Sequence, residues 1–311
     1  MISTIKVGHC RYGLMCNENG FLFDDGVVAR LSSDTFICHT TSGGSDRVYA
    51  WMEEWLQTEW WNLNVYVTNI TEQFGQIAIV GPNARSVLEK VLQKKFSSDE
   101  LPFMGIANGV FENSKVNVYR ISFSGELSYE ISIAAKLALS FWIKCIEVGK
   151  KYGIQQYGTE ALHVMRAEKG FIMIGDETDG TVIPQDLNLD WAVSKKKIDF
   201  IGKRAHRRSF MIDPQRKKLV GLLTEDPNIV LPDGAHAVEQ FHETARMKII
   251  GHVTSTYFSP TLGRSIALAL IQRGLNRSGE LIEFPIENNQ VIKARVVNPV
   301  FYDPEGNKQH V

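Results

Sequence analysis

Cys10-Arg-Tyr-Gly-Leu-Met-Cys-Asn-Glu-Asn-Gly-Phe-Leu-Phe-Asp-Asp-Gly-Val-Val-Ala-Arg30 sets two adjacent carboxylates, Asp24 and Asp25, into an otherwise apolar run. Asn19-Gly20 between two apolar segments predicts a hairpin with a two-residue type I′ turn, because both central positions of that turn favour φ > 0. The carboxylates then lie on the return strand. Side chains alternate across a strand, so Phe21, Phe23, Asp25 and Val27 share one face while Leu22, Asp24 and Val28 share the other. Neither face reads as wet. A carboxylate held among apolar neighbours must be paired or have its pKa shifted, which is how proton acceptors and ligand anchors are made. The alternative is that Asp24-Asp25-Gly26 simply ends the strand in a turn.

Outward from the hairpin, 311 residues with 44% hydrophobic and 22% charged composition suit a globular chain of two or three domains with an ample core. The net charge is −1, and the basic runs Lys195–Lys197 and Arg204–Arg208 are short. No nucleic-acid footprint is indicated. There is no membrane-length apolar stretch and no secretory leader, so a cytoplasmic location is expected. Four cysteines, Cys10, Cys16, Cys38 and Cys145, lack Cys-x-x-Cys spacing, and eight histidines fall into no zinc pattern. Reduced thiols and no metal are expected.

The rest of the chain alternates strand and helix signals without a nucleotide-type glycine loop. Strands are predicted near 35–41, 66–68, 77–80, 109–111, 116–123 and 129–133. Ser45 is placed as the cap of a helix whose stripe Val48, Trp51, Met52, Trp55 and Leu56 is expected to be core, and Gly81-Pro82 opens a second helix with Ala84, Val87, Leu88, Val91 and Leu92 on one face. Further helices are predicted over 137–148 and about 158–169. From about Lys217 the helical period gives way to short β-rich runs at 219–223, 248–254, 265–271, 281–284 and 291–297, with 203–218 as a linker. The fold expected is α+β, with mainly antiparallel sheets and packed helices followed by a small C-terminal β-barrel, divided as 1–208 and 209–311.

Several motifs give this pattern a family likeness: Tyr12-Gly-Leu-Met with Asn19-Gly20 and Asp24-Asp25; Ser124-Gly-Glu126 with Tyr129-Glu-Ile131; Arg166-Ala-Glu-Lys-Gly170; and Phe258-Ser-Pro-Thr-Leu-Gly-Arg-Ser-Ile-Ala-Leu-Ala269. Over essentially its whole length the chain resembles the folate-binding aminomethyltransferase (glycine-cleavage T-protein) family. Tyr157-Gly-Thr-Glu-Ala-Leu-His-Val-Met-Arg166, Val193-Ser-Lys-Lys-Lys197 and Leu222-Leu-Thr-Glu-Asp226 look most like the C-terminal region of the sarcosine oxidase alpha subunit.

The resemblance implies tetrahydrofolate as cofactor and assigns roles. Glu130 matches the glutamate that anchors the pterin, where one carboxylate accepts from both the amino group and the ring amide. Phe123 stands where the family usually has a tyrosine against the pterin. Asp25 matches the carboxylate beside the reactive folate nitrogens, a candidate proton acceptor. Asp24 is its neighbour and Tyr12 is expected in the same cavity. Arg264 is a candidate for the anionic folate tail or for a cap on a barrel turn. Arg166 and Glu168 are expected to form a helix-terminal ion-pair network, Trp191 to be core, and Leu162 replaces an arginine that many family members carry.

The family domain usually begins several dozen residues before the hairpin. From this beginning, unpaired hairpin edges, marginal stability and weak folate binding are expected. The reaction implied is conversion of an amine-derived methylene to 5,10-methylenetetrahydrofolate by a sarcosine oxidase-type one-carbon module. Flavin-containing sarcosine oxidase subunits are implied as partners, with FAD, FMN and NAD confined to those partners. The alternatives are a free-standing glycine-cleavage-type aminomethyltransferase, which would need a lipoyl carrier protein, and a non-catalytic folate-binding regulator. The last is disfavoured by Lys169-Gly-Phe-Ile172, where such regulators carry a Lys-Gly-Cys-Tyr-type motif.

Overall fold

The computed structural model describes residues 1–311. The hairpin forms from β1 (His9–Cys16) and β2 (Leu22–Arg30), and β3 (Phe36–Cys38) completes a sheet ordered β1-β2-β3. Its turn differs from the type I′ expectation. Gly20 alone takes a left-handed φ, +83°, its amide donating to the Asn17 carbonyl while the Asn17 side chain accepts from the amides of Asn19 and Phe21. Asn17 thus organises a longer loop, because its side chain replaces the backbone contacts of a two-residue turn.

Helix α1 (Ser45–Thr58) has Gly44, not Ser45, at its N-cap. Its stripe is not core: Val48 is buried, whereas Trp51 and Trp55 are half-buried in an aromatic chain running from Phe23 to Trp60. Residues 66–68 form no strand, and Tyr66 is 91% exposed. Strand period without a neighbouring ladder leaves the backbone to water.

The second sheet is antiparallel, ordered β4 (Phe74–Val80), β7 (Ser128–Ala134), β6 (Ser114–Tyr119) and β5 (Ile106–Phe111). Odd positions of β7 turn Tyr129, Ile131 and Ile133 onto α2 (Ala84–Val91) and α3 (Ala138–Gly149), in a core with Leu88 and Phe141. Truncating one of these large side chains to Ala would cost about 2–5 kcal/mol. The even positions face the first sheet, which meets them with Cys10, Ala29, Val27 and Ile37 around Tyr119 and Ile121. The outer edge of β1 is partly paired: Cys10 N–H donates to the Met104 carbonyl at 2.7 Å, and Leu22 N–H at the start of β2 donates to the Val182 carbonyl at 2.8 Å.

Helix α4 (Thr159–Glu168) leads into the loop that reaches the barrel. Strands β8 (Lys217–Thr224), β9 (His236–Val238), β10 (Ile249–Ser259), β11 (Arg264–Gln272), β12 (Leu281–Pro285) and β13 (Val291–Val297) close the barrel in the order β10-β11-β8-β13-β12-β9. Ser265 to Ile271 of β11 are buried on both faces: Ala267, Ala269 and Ile271 fill the barrel, and Ile266, Leu268 and Leu270 pack outward on Cys16, Leu22 and Ala167. That continuous apolar run seats the barrel against the hairpin and α4. Residues 203–218 are more than a linker. They contain a 3₁₀ turn at Ala205–Arg207, and the His206 ring lies 2.8 Å from the Gly20 carbonyl.

Arg166 and Glu168 do not pair with each other. Arg166, fully buried, donates to Glu177 at 2.7 Å, Asp176 at 2.8 Å and Ser255 Oγ at 2.7 Å, while Glu168 accepts from Ser259 Oγ at 2.6 Å. Both side chains thus join α4 and its following loop to β10. No helix is long and apolar enough to cross a membrane.

Candidate functional site

The register Tyr12↔Val27 and Leu14↔Asp25 puts Tyr12 and Asp25 diagonally opposite on one face of the β1–β2 ladder. The Tyr12 hydroxyl donates to Asp25 Oδ2 at 2.5 Å. Burial lifts the Asp25 carboxyl from its usual range to about 6; the Tyr12 hydrogen bond opposes that shift and the Asp24 charge adds to it. Tyr12 in turn is pushed well above an ordinary phenol by burial and by the Asp25 charge. Immediately after Asp25, Gly26 has φ +152°, and a Cβ there would lie 1.8 Å from the His39 carbonyl oxygen. Only glycine lets that backbone approach so closely.

Asp24 points the other way. It is fully buried, accepts from the amides of Thr41 (3.1 Å) and Asp25 (2.9 Å), and lies 3.4 Å from Arg47 Nη2, so it fixes the connection into α1. Trp191 is not core. It is 70% exposed, yet its ring stacks on Tyr12 with centroids 5.9 Å apart.

The facing sheet supplies a row of polar side chains, at even positions of β4 and β7 and odd positions of β6. Glu130 lies opposite Tyr119, and Ser132 lies between Asn117 and Gln76. Gln76 Nε2 donates to Glu130 Oε2, and Ser132 Oγ donates to Gln76 Oε1 at 2.9 Å. Burial pushes the Glu130 carboxyl upward against the favourable Gln76 bond. The Cys10 thiol, pushed up to about 12, feels burial first and the Glu130 charge second; Tyr157 is raised by the same two causes. Tyr119 Oη and Asn117 Oδ1 are buried without a hydrogen-bond partner. Unmatched groups of this kind are what a polar ligand satisfies.

His39 links the two sheets. Its Nδ1 lies 3.1 Å from the Val27 carbonyl oxygen, and its ring meets Tyr119 edge-on with centroids 4.9 Å apart. Burial lowers its pKa, favouring the neutral imidazole. With Nδ1 donating to a carbonyl, Nε2 is left as an acceptor.

The fold therefore brings Tyr12 and Asp25 on one sheet face to face with the sheet that carries Glu130. Phe123 lies beyond the end of β6 and stacks on Phe171, with centroids 6.3 Å apart and planes 15° from parallel. Arg264 donates to the Thr224 carbonyl at 2.8 Å, the barrel-capping alternative. No group of three His, Cys, Asp or Glu side chains is placed to hold a metal ion. Gln76, Ser132, Asn117, Tyr119 and His39 belong to no motif of the sequence, although the alternation Asn117-Val118-Tyr119 and Glu130-Ile131-Ser132 is a signal that marks most of them.

Comparison with known proteins adds an independent finding. Residues 1–197 match the family described as the GCVT N-terminal domain, and residues 217–303 match the glycine cleavage T-protein C-terminal barrel domain. The chain is 44% identical to the sarcosine oxidase subunit alpha of Corynebacterium sp. (strain U-96) over 99% of its own length and 32% of the relative's. It is 31% identical to the aminomethyltransferase of Thermoanaerobacter pseudethanolicus, covering 97% of this chain and 78% of that one. It thus spans about a third of the length of the alpha subunits it matches. Among solved structures, aminomethyltransferase T of the glycine cleavage system from Bartonella henselae superposes with a TM-score of 0.83 over 97% of this chain and 78% of that one, at 23% identity, a shared fold.

Proposed function

This chain belongs to the glycine-cleavage T-protein family, and on that premise we propose that the polar residues its first two sheets turn toward each other bind tetrahydrofolate and load it with a one-carbon unit. The observation that carries this reading is the Tyr12–Asp25 pair on the sheet that faces Glu130. The 44% identity to a sarcosine oxidase subunit alpha favours a one-carbon acceptor module of such an enzyme, taking a methylene from an amine-derived iminium or from formaldehyde. In this reading, flavin and nicotinamide chemistry belongs to other domains or subunits.

The residues present suit a pterin. In its ionised form Glu130 offers two acceptor oxygens to the paired donors of the pterin edge, and the unpartnered Tyr119 Oη and Asn117 Oδ1 lie on the same sheet face. Tetrahydrofolate supplies the two nitrogens that take up the carbon. Asp25, with a pKa of about 6, is ionised at neutral pH and accepts the proton released as a carbon–nitrogen bond forms. Tyr12 holds Oδ2, which leaves Oδ1 of Asp25 for that proton. The leaving group is the amine, or water when formaldehyde is the donor.

A second reading, a free-standing aminomethyltransferase, is supported by the 31% identity over 78% of such an enzyme. Supplying a methylamine-loaded lipoyl carrier or formaldehyde as alternative donors separates the two. Calorimetric titration with tetrahydrofolate tests the pocket, and Asp25→Asn should lower turnover about 10²-fold or more with a smaller change in folate affinity. Absence of folate binding, or a larger loss with Asp24→Asn than with Asp25→Asn, would overturn the assignment.

A further inference from the structure

Gln76 lies on β4 across from Ser132, two residues along β7 from Glu130 and on the same sheet face. An ionised Glu130 orients the Gln76 amide. Ser132 Oγ–H needs an acceptor and the Glu130 carboxylate needs a donor, so Oε1 takes the first and Nε2 serves the second. No lysine or arginine forms an ion pair with Glu130. The titratable groups whose own pKa responds to the Glu130 charge are the Cys10 thiol of β1, the Tyr119 phenol of β6 and the Tyr157 phenol ahead of α4, all uncharged at neutral pH; the facing sheet adds Tyr12, Asp25 and the neutral His39, which meets Tyr119 edge-on, and none of these is a cation. The Gln76 N–H is therefore the side-chain donor that counters the burial cost of the charge.

We propose that Gln76 is a positioning residue that keeps Glu130 ionised and fixes the direction of its carboxylate, with Ser132 locking the Gln76 amide. This rests on the reading of Glu130 as the pterin anchor, and it adds a device that sets the lower pH limit of that site. A hydrogen bond to the charged form favours ionisation. Its loss lets Glu130 hold a proton to higher pH, and a protonated carboxyl offers a donor where the ligand also donates.

Gln76 is exposed, so its replacement should spare the core. The test follows the Glu130 carboxyl by ¹³C NMR titration of the ligand-free protein, with tetrahydrofolate binding measured calorimetrically across the same pH range. In Gln76→Leu the Glu130 midpoint should rise by about one pH unit or more. Gln76→Glu, which adds a second carboxylate, should raise it at least as far, and Ser132→Ala should give a smaller rise. The low-pH limit of folate binding should move with the midpoint. An unchanged midpoint in both Gln76→Leu and Gln76→Glu would overturn the proposal. A shifted midpoint in a protein that binds no folate at any pH would instead overturn the pterin reading and leave the role of Gln76 standing.

Discussion

Tyr12 and Asp25 are joined by a 2.5 Å hydrogen bond that crosses the β1–β2 ladder diagonally, from a phenol raised by burial to a carboxyl raised to about 6. The bond stabilises the charged form of Asp25, so removing it should push that carboxyl higher still. In Tyr12→Phe the low-pH limb of turnover is expected to move to higher pH, with little change well above it. A pH–rate profile superimposable on that of the unmodified protein would show that the hydroxyl does not tune the acid.

Asp25 also bears on stability. Its folded pKa of about 6 exceeds the ordinary value of 3.8, so its contribution to stability is fully present below about pH 4 and is lost as pH rises through 6. At pH 8 the ionised group costs on the order of 2–3 kcal/mol. Asp25→Asn should therefore be more stable than the parent at pH 8, by an amount that shrinks toward pH 4, while turnover collapses. Urea midpoints at the two pH values measure this, and an Asn variant no more stable at pH 8 would refute it.

Glu130→Gln replaces one acceptor of the carboxylate with a donor facing a donor. The affinity for tetrahydrofolate should fall by about 1–3 kcal/mol, the cost of a buried bond turned unfavourable. Calorimetry on the variant checks this, and undiminished affinity would remove Glu130 from the anchor role.

Arg166 and Glu177 are both fully buried, and Glu177 also accepts from the hydroxyls of Thr254 and Ser255. Arg166→Met leaves Glu177 as an uncompensated charge between α4 and β10, at a cost of about 3–5 kcal/mol. Adding Glu177→Gln should recover a large part. Urea unfolding of the single and double variants decides it: a double variant as unstable as the single one would mean that the lost packing of the guanidinium, and not the stranded charge, is responsible.

The sequence by itself determined the elements whose signal is local or periodic. The β7 alternation, the apolar faces of α2 and the run of short barrel strands are written in spacings of two or of three to four residues, and the Asp24-Asp25 pair stands out because charge is rare in an apolar strand. Strand parity also gave the separation of Asp25 from Asp24. Tertiary structure decided what those residues meet. The polar odd positions of β6 and even positions of β7 come to face Tyr12 and Asp25 only because a sheet remote in sequence packs over them. Arg166 bonds to Glu177 and Ser255, not to Glu168, because the barrel closes against α4. Trp191, expected in the core, lies exposed over Tyr12 because the loop that carries it runs past the hairpin. A side chain's own type and period fix which face of its element it occupies, whereas its partner comes from chain segments tens to hundreds of residues away, and no local pattern encodes that pairing.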